Sequence, residues 1–322
     1  MSCLIGQDVK RAAALIRDGG VVAFATETVY GLGAHAFDPS AVARVFEVKG
    51  RPRFDPLIVH VASTNEARRL ATDFPRAARQ LAEAFWPGPM TLVLPKTDNV
   101  PDLVTAGLST VALRVPAHPL ARQLLLEAGV PIAAPSANPF GEVSPTTAEH
   151  VRLQLGDRID YILDGGPCEV GLESTVVHVA NEPPTLLRPG GVTQEEIERI
   201  IGSLRLPHSE ETGDDRPQTS PGMLSRHYAP HTPLQILTDI SKITASNTTG
   251  VMALQPFAGM ERFTSVEVLS QSGNLTEAAS QFYAALRRLD SQGLQQIVAT
   301  PFPETGLGRA LNDRLQRAAR RA

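Results

Sequence analysis

The apolar positions of this chain alternate between a helical spacing and short continuous runs. Val9, Ala13 and Ile16 share one helical face, and the next segment, residues 21–25, is an unbroken apolar run that follows two glycines. Apolar residues three to four positions apart predict an amphipathic helix, whereas a short apolar run bounded by turn residues predicts a buried strand. A chain that repeats this alternation is typical of the α/β class.

The same reasoning predicts most elements of the first 200 residues. Asp38 and Pro39 supply an N-cap and a first-turn proline for a helix over residues 40–49. Thr193-Gln-Glu-Glu196 is a capping box that begins a helix ending near residue 201. Further strands are predicted at residues 57–61, 91–94, 111–115, 132–134, 161–163, 174–179 and 185–187. In the strand at 111–115 the large apolar residues alternate, so Arg114 should point to the opposite face of the sheet.

The pattern is interrupted once. Residues 206–222 consist mainly of Pro, Ser, Glu, Asp, Gly and Thr, a composition typical of a linker. Beyond it, strands are predicted at 234–237, 251–254 and 297–299, and helices at 275–289 and 308–320. We therefore predict a large domain over residues 1–205, a linker over 206–233 and a smaller α/β domain over 234–322.

Composition narrows the setting in which the protein works. The 322 residues have a net charge of -4, which argues against a protein that coats nucleic acid non-specifically. Two cysteines without CxxC spacing cannot form a disulfide framework and favour a reduced, cytoplasmic compartment. We expect no signal peptide and no membrane span, because the chain begins without a basic region and lacks any apolar run near the required ~18 residues.

Five polar loops adjoin predicted strands. They are Thr26-Glu-Thr-Val-Tyr-Gly-Leu-Gly33, Lys49-Gly-Arg-Pro-Arg53, Pro135-Ser-Ala-Asn-Pro139, Gly171-Leu-Glu-Ser-Thr175 and Leu187-Arg-Pro-Gly-Gly191. Arginine and lysine neutralise phosphate charge, glycines let backbone approach a ligand, and prolines stiffen a loop that offers Ser and Asn side chains. Each of these loops taken alone is also compatible with an ordinary turn or a solvated helix end. His60 is likewise compatible with a role in core packing. Together the loops predict a nucleotide site at the rim of an open sheet.

Several common sites are disfavoured. The sequence contains no GxxxxGK[ST] P-loop, no acidic residue at the expected spacing after Gly31 for a dinucleotide fold, and no GxSxG elbow of an α/β-hydrolase. His227 and His231 have a helical spacing, but Pro230 separates them, so a zinc site is not expected.

Read together, these motifs resemble the YrdC family in its two-domain form. The resemblance rests on the loops above and on Pro56-Leu-Ile-Val-His60, Trp86-Pro-Gly-Pro-Met-Thr91, Ser220-Pro-Gly-Met223, Arg226-His-Tyr-Ala-Pro230, Gly306-Leu-Gly308 and Asn312-Asp-Arg-Leu315. Members of this family are threonylcarbamoyl-AMP synthases. The resemblance implies an open, twisted sheet of mixed strand direction with surrounding helices and a positively charged cavity, followed by a smaller Rossmann-like α/β domain.

The resemblance also implies a reaction and its partners. L-threonine, bicarbonate and ATP with Mg²⁺ would give threonylcarbamoyl-AMP and pyrophosphate. A downstream complex would then transfer the threonylcarbamoyl group to the adenosine beside the anticodon of tRNA. A weak direct contact with tRNA stays open, as does the role of the C-terminal domain.

Family roles transfer to particular residues of this sequence. Threonine would be held by Thr28, His60, Arg114 and Ser174, with Arg114 pairing the carboxylate. ATP would be held by Lys49, Arg51, Asp55, Thr110, Ser136, Asn138, Ser144, Arg188 and Tyr228. The catalytic set would be Lys49, Arg51, Ser136 and Asn138, and the segment at Tyr228 would fold over the cavity as a lid.

Two positions depart from the family pattern. Ala25 replaces the usual Pro, which makes the first loop less stiff. Asp55 stands where Asn is common, and its carboxylate would repel phosphate unless it pairs with Arg51 or Arg53 or meets the magnesium ion.

Two other function classes are weighed against the synthase. An RNA-binding module would also use a cationic cavity, but an aromatic content of 5% gives little surface for stacking bases. A carbamoyl-phosphate-using transferase related to hydrogenase-maturation proteins would need acylphosphatase and zinc-finger modules, for which this chain has no sequence.

Overall fold

The computed structural model describes residues 4–206, 227–240 and 248–320. Within these residues the strands form a large and a small sheet. The strands of the large sheet are β1 Leu4–Gly6, β2 Val22–Phe24, β3 Gly31–His35, β4 Ile58–His60, β5 Met90–Pro95, β6 Thr110–Arg114, β7 Ile132–Ala133, β8 Tyr161–Leu163, β9 Thr175–His178 and β10 Thr185–Arg188. Those of the small sheet are β11 Leu234–Ile236, β12 Thr249–Ala253, β13 Ser265–Val268 and β14 Gln296–Ala299.

Helices accompany both sheets. They are α1 Val9–Arg17, α2 Pro39–Lys49, α3 Thr64–Leu70, α4 Arg76–Phe85, α5 Asp102–Thr105, α6 Pro119–Ala128, α7 Ala148–Leu155, α8 Gln194–Ile201, α9 Leu275–Asp290 and α10 Leu307–Ala319. Among the described residues, no helix combines the length and the apolar character that crossing a bilayer requires.

The strand directions confirm the predicted fold class. The large sheet has the order β1-β8-β2-β3-β7-β4-β6-β5-β9-β10. It is mixed, because β4 is parallel to β6 whereas β2 is antiparallel to β3. The small sheet has the order β11-β14-β12-β13, and its pairings are all parallel. With α9 and α10 beside it, the small sheet is the Rossmann-like unit expected from the sequence.

Capping signals in the sequence place two helix starts correctly. The Asp38 carboxylate accepts hydrogen bonds from the backbone N–H groups of Ser40 and Ala41, with Pro39 in the first turn. At α8 the Thr193 and Glu196 side chains form the reciprocal capping box. Both contacts satisfy backbone donors that a helix leaves without an internal partner.

The segment at Gly31 and Gly33 corrects one prediction. It is not a loop but strand β3, which pairs antiparallel with β2. A Cβ atom on Gly33 would lie 2.7 Å from Ile132 Cγ2 and 2.8 Å from the Phe24 ring. The small residue is therefore needed for side-chain packing across adjacent strands. The sequence pattern also did not predict β1, β13, α3, α4, α5, α6 or α7.

Alternation along the central strands sorts side chains onto two faces of the sheet. Val111 and Leu113 of β6 pack into the main core, whereas Arg114 is buried on the other face, as predicted. In β4, Val59 faces the same core while Ile58 and His60 face away from it. Arg114 and His60 thus lie on the sheet face opposite the main core.

The predicted linker lies largely outside the described residues, since residues 207–226 are not among them. At its described end, His227 and Tyr228 are buried. Tyr228 belongs to the apolar core of the C-terminal domain, and so do Val29, Val143 and Leu172 of the large domain. The two domains consequently share a continuous apolar interface.

Candidate active site

A small cavity lies against the sheet face that is turned away from the main core. Its wall is formed by Thr26, Thr28, Val29, Gly31, Arg51, Ile58, His60, Arg114, Ala134, Pro135, Ser136, Glu173, Ser174, Arg188, His227 and Tyr228. The predicted site residues in this wall are Thr28, Arg51, His60, Arg114, Ser136, Ser174, Arg188 and Tyr228. The free volume is about 50 Å³, so the cavity is small.

Lys49 lies directly behind this wall and ties two of the polar loops together. It is the last residue of α2, and its Nζ donates hydrogen bonds to the carbonyl oxygens of Ser136 at 2.6 Å and Asn138 at 2.5 Å. Burial lowers the pKa of Lys49 well below its ordinary value, and the nearby Arg51 charge acts in the same direction. The Asn138 amide donates to the carbonyl oxygens of Pro139 and Glu142, which fixes the same loop.

Arg51 and Asp55 form a buried ion pair. The Arg51 Nη2 atom lies 2.9 Å from Asp55 Oδ2, and the guanidinium also donates to the carbonyl oxygens of Asp55 and Pro56. Burial raises the pKa of Asp55, although the Arg51 charge opposes this shift. The sequence left three partners open for Asp55, namely Arg51, Arg53 and magnesium. In the structure Asp55 pairs with Arg51.

Arg114 is held in the cavity by an acid that sequence reasoning did not select. Its Nη2 atom lies 2.6 Å from Glu27 Oε1, while Glu27 Oε2 accepts hydrogen bonds from the backbone N–H groups of Ala117 and His118. Burial alone would raise the pKa of Glu27, but the Arg114 charge and these hydrogen bonds lower it. The signal was present in the sequence, because Glu27 lies between two threonines in the first polar loop.

Small hydroxyls and a neutral histidine complete the region near Arg114. The His60 ring packs edge-on against Phe24 with centroids 6.0 Å apart, and its Nδ1 has no hydrogen-bond partner among the described residues. Burial, helped by the Arg114 charge, lowers the pKa of His60 to about 3, so the ring is neutral at pH 7. Ser174 Oγ lies 2.7 Å from Thr91 Oγ1, and Thr91 is a further residue that sequence reasoning missed.

Glu173 is the second unpredicted acid; it belongs to the wall, and it connects the two domains. It accepts hydrogen bonds from Ser144 Oγ at 2.6 Å, from Tyr283 Oη and from Arg314 Nε at 2.7 Å. Burial alone would raise the pKa of Glu173, but the charges of Arg314 and Arg188 and the hydrogen bonds lower it to about 2. Glu173 is therefore an anion at neutral pH despite its burial.

Tyr228 closes the cavity from the side of the C-terminal domain. Its backbone has φ 64°, an unusual conformation for a residue other than glycine. Its ring packs against His227 at 4.1 Å and faces the Arg314 guanidinium at 5.0 Å. The hydroxyl is buried and has no hydrogen-bond partner within the described part of the chain.

Models of two protein families match this chain. The model described as telomere recombination matches residues 14–190, and the model described as the C-terminal domain of threonylcarbamoyl-AMP synthase matches residues 192–320. Threonylcarbamoyl-AMP synthase from Bacillus subtilis is 44% identical over 97% of this chain and 92% of that protein. The chain belongs to the threonylcarbamoyl-AMP synthase family.

Relatives of this family confirm both the two-domain form and the enzyme class, a nucleotidyltransferase. The synthase from Pyrococcus abyssi is 42% identical over 97% of this chain and 94% of its own length. The crystal structure of Pyrococcus abyssi Sua5 complexed with L-threonine has a TM-score of 0.90 and 40% identity, covering 99% of this chain and 98% of that one. The family assignment thus agrees with the resemblance seen in the loop motifs.

Not every residue predicted from family roles lines the cavity of this synthase-family protein. Lys49, Asp55, Asn138 and Ser144 lie behind the wall and contact residues in it or next to it. Thr110 begins β6, whereas Arg114 ends it. The two residues are four positions apart along the strand, which corresponds to about 13 Å. A nucleotide contact at Thr110 stays a prediction.

The buried neutral His60 predicts a pH dependence of stability. Its pKa is about 3 in the folded state and ~6.5 in an unfolded chain, so at pH 4–6 the unfolded state binds more protons and gains stability. This contribution is complete above about pH 6.5 and is lost as the pH falls toward 3. Between pH 7 and pH 4 we expect it to remove about 3 kcal/mol from the free energy of unfolding.

The measurement is urea unfolding followed by the fluorescence of Trp86, the single tryptophan, which lies in the core of the large domain. The His60→Asn variant lacks the titrating ring and should lose less stability on acidification than the parent protein. An equal loss in both proteins would contradict the prediction.

Proposed function

We propose that this chain joins L-threonine, bicarbonate and ATP into threonylcarbamoyl-AMP, with release of pyrophosphate. The observation that supports this most directly is the cavity wall itself. It combines Arg51, Arg114 and Arg188 with small hydroxyls, and its neutral His60 has too low a pKa to act as a general base. A wall of this kind suits a reaction between anions, in which positioning and charge stabilisation supply most of the rate.

We place threonine on the side of Arg114. Its carboxylate would pair with the Arg114 guanidinium, while Thr28 and Ser174 offer hydroxyls and neutral His60 a ring nitrogen. The threonine ammonium group would lose one proton, and the free amine would condense with bicarbonate to a carbamate with release of one water molecule. Because Glu27 already fixes Arg114, the threonine side is preorganised before the substrate arrives.

We place the nucleotide on the side of Arg51, Arg188, Ser136 and Tyr228. A carbamate oxygen would attack the α-phosphorus, the bond from that phosphorus to the β-phosphate oxygen would break, and pyrophosphate would leave. Arg51 and Arg188 would stabilise the charge that builds up on the phosphate oxygens. Lys49 would act from behind the wall by holding the Ser136–Asn138 backbone in place.

Magnesium would enter with ATP. Among the described residues no cluster of three or more metal-binding side chains exists, which fits an ion held chiefly by phosphate oxygens and water. Asn138 Oδ1 and Asp55 Oδ1 are buried acceptors without a hydrogen-bond partner in the described part of the chain, and we assign them as the protein oxygens that suit a magnesium ion. Bound magnesium would neutralise charge on the triphosphate.

We further propose that the segment at His227 and Tyr228 is a lid. Both residues form part of the wall of a small cavity of about 50 Å³, and movement of this segment would enlarge the space for ATP. A closed lid would shield the labile adenylate from water until the downstream tRNA-modifying complex accepts it.

The test incubates the protein with ATP, threonine and bicarbonate and omits each in turn. Pyrophosphate that forms only with the full set supports the synthase, whereas pyrophosphate formed without threonine or bicarbonate contradicts it. Steeply salt-dependent RNA binding without adenylate would favour the RNA-binding alternative. In the same assay, a Tyr228→Ala variant with unchanged ATP affinity and product lifetime would rule out the lid.

A further inference from the structure

The C-terminal domain reaches the cavity wall through two side chains. Arg314 of α10 has a side chain with no exposure, and its Nε lies 2.7 Å from Glu173 Oε2, while its Nη2 donates to the carbonyl oxygen of Pro189. Tyr283 of α9 donates its hydroxyl hydrogen to the same carboxylate, with Oη 2.8 Å and 3.0 Å from the two oxygens. Glu173 itself faces the cavity.

These contacts end on the nucleotide side of the cavity. The Arg314 guanidinium lies over the Tyr228 ring, a favourable cation–π arrangement. Glu173 also holds Ser144 through its hydroxyl at 2.6 Å. Tyr228 lies on the side where we place the nucleotide, and the family resemblance implies an ATP contact for Ser144.

The threonine side is supported differently. Arg114 is held by Glu27, and Ser174 Oγ by Thr91, all from the large domain. The C-terminal domain therefore fixes the nucleotide half of the cavity by direct contact, while the threonine half has its own supports within the large sheet. The two halves meet where the Arg188 guanidinium donates to the carbonyl and hydroxyl oxygens of Ser174.

The loop that contains Glu173 is shaped to receive the C-terminal domain. Gly171 has φ 72°, and a Cβ atom there would lie 2.6 Å from the carbonyl oxygen of Ala279 and from Ser280 Cα, both in α9. The next residue, Leu172, is fully buried in the core of the C-terminal domain. Close approach of backbone to helix at this point sets the position of Glu173 two residues later.

We propose that Arg314, with Tyr283, is a positioning residue for ATP. It fixes Glu173, and through Glu173 and the Tyr228 ring it sets the shape of the nucleotide half of the cavity. This inference rests on the proposed function, and it gives the C-terminal domain a direct part in ATP binding without contact between that domain and the substrate.

Steady-state kinetics on matched variants test the proposal. Arg314→Lys keeps the charge but loses the planar guanidinium, so we expect KM for ATP to rise about tenfold, equivalent to ~1.4 kcal/mol. KM for threonine should change by no more than about twofold. The fold decrease in kcat should be smaller than the fold increase in KM for ATP, because misplaced groups act on ATP binding first. The control is Arg309→Met, which removes the other α10 ion pair to the large domain, Arg309 to Glu195, far less buried than Arg314. It should leave both KM values near those of the parent protein.

Each outcome decides the proposal. A folded Arg314→Lys variant with parental KM values, or with equal increases for ATP and threonine, would overturn it. If Arg314→Lys does not fold, Tyr283→Phe removes only the hydroxyl donor, and a rise of about threefold in KM for ATP alone is then required. Calorimetric titration with a non-hydrolysable ATP analogue separates the two hypotheses, since weaker binding to the variant supports the positioning role even if the parent protein forms no adenylate.

Discussion

An Arg51→Met variant is expected to lose at least about a hundredfold in kcat/KM for adenylate formation. Arg51 lies in the cavity wall, and its guanidinium is fixed by the Asp55 carboxylate and two backbone carbonyl oxygens. A preorganised cation in a small cavity stabilises developing negative charge far more than a mobile one in water. Methionine fills similar space but supplies no charge. Initial rates of pyrophosphate release over a range of ATP concentrations give the measurement.

The same substitution also leaves Asp55 buried without its partner, which typically costs ~3–5 kcal/mol of stability. The double variant Arg51→Met with Asp55→Asn removes both charges and separates the two effects. We expect it to recover most of the lost stability in urea unfolding while its activity stays low. Recovery of activity together with stability would show that Arg51 serves the fold alone.

The sequence predicted the chemistry of the cavity better than the contacts that hold it. Alternation along β6 was enough to place Arg114 on the face opposite the core, because the period of two in a strand is a local property. Arg51 was recognised as one possible partner of Asp55 because an unpaired carboxylate at this place would repel phosphate. The cavity wall contains residues of all five predicted polar loops, and it extends over the sheet face at Ile58 and His60.

The unpredicted residues share a physical cause. Glu173 is 141 residues from Arg314 and 110 from Tyr283, and Thr91 is 83 from Ser174. No periodicity or spacing in one sequence reports a pairing over such a distance. Gly33 was misread for a similar reason, because the atoms that exclude a side chain there belong to Phe24 and Ile132 on two neighbouring strands.

Glu27, which was not predicted, changes the role inferred for the predicted Arg114. An isolated Arg114 would attract any anion in the cavity, but its ion pair with Glu27 orients the guanidinium and partly offsets its charge. Glu27 is in turn held by two backbone N–H groups that follow β6. The threonine side of the cavity therefore recognises a carboxylate by the orientation of the Arg114 guanidinium as well as by its charge. The two contributions can be tested separately.

An Arg114→Met variant is expected to raise KM for threonine by about a hundredfold, equivalent to ~3 kcal/mol, with a much smaller change in KM for ATP. Combining it with Glu27→Gln avoids leaving a buried carboxylate unpaired. The decisive comparison uses a threonine analogue in which a hydroxymethyl group replaces the carboxylate. The parent protein should prefer threonine strongly, whereas the double variant should use both compounds about equally poorly, because the group that distinguishes them is gone. Arg44→Met, which breaks a half-exposed ion pair with Asp160, should keep the parental preference. If the double variant still discriminated against the analogue as strongly as the parent protein does, the threonine carboxylate would have to lie against another cation of the cavity.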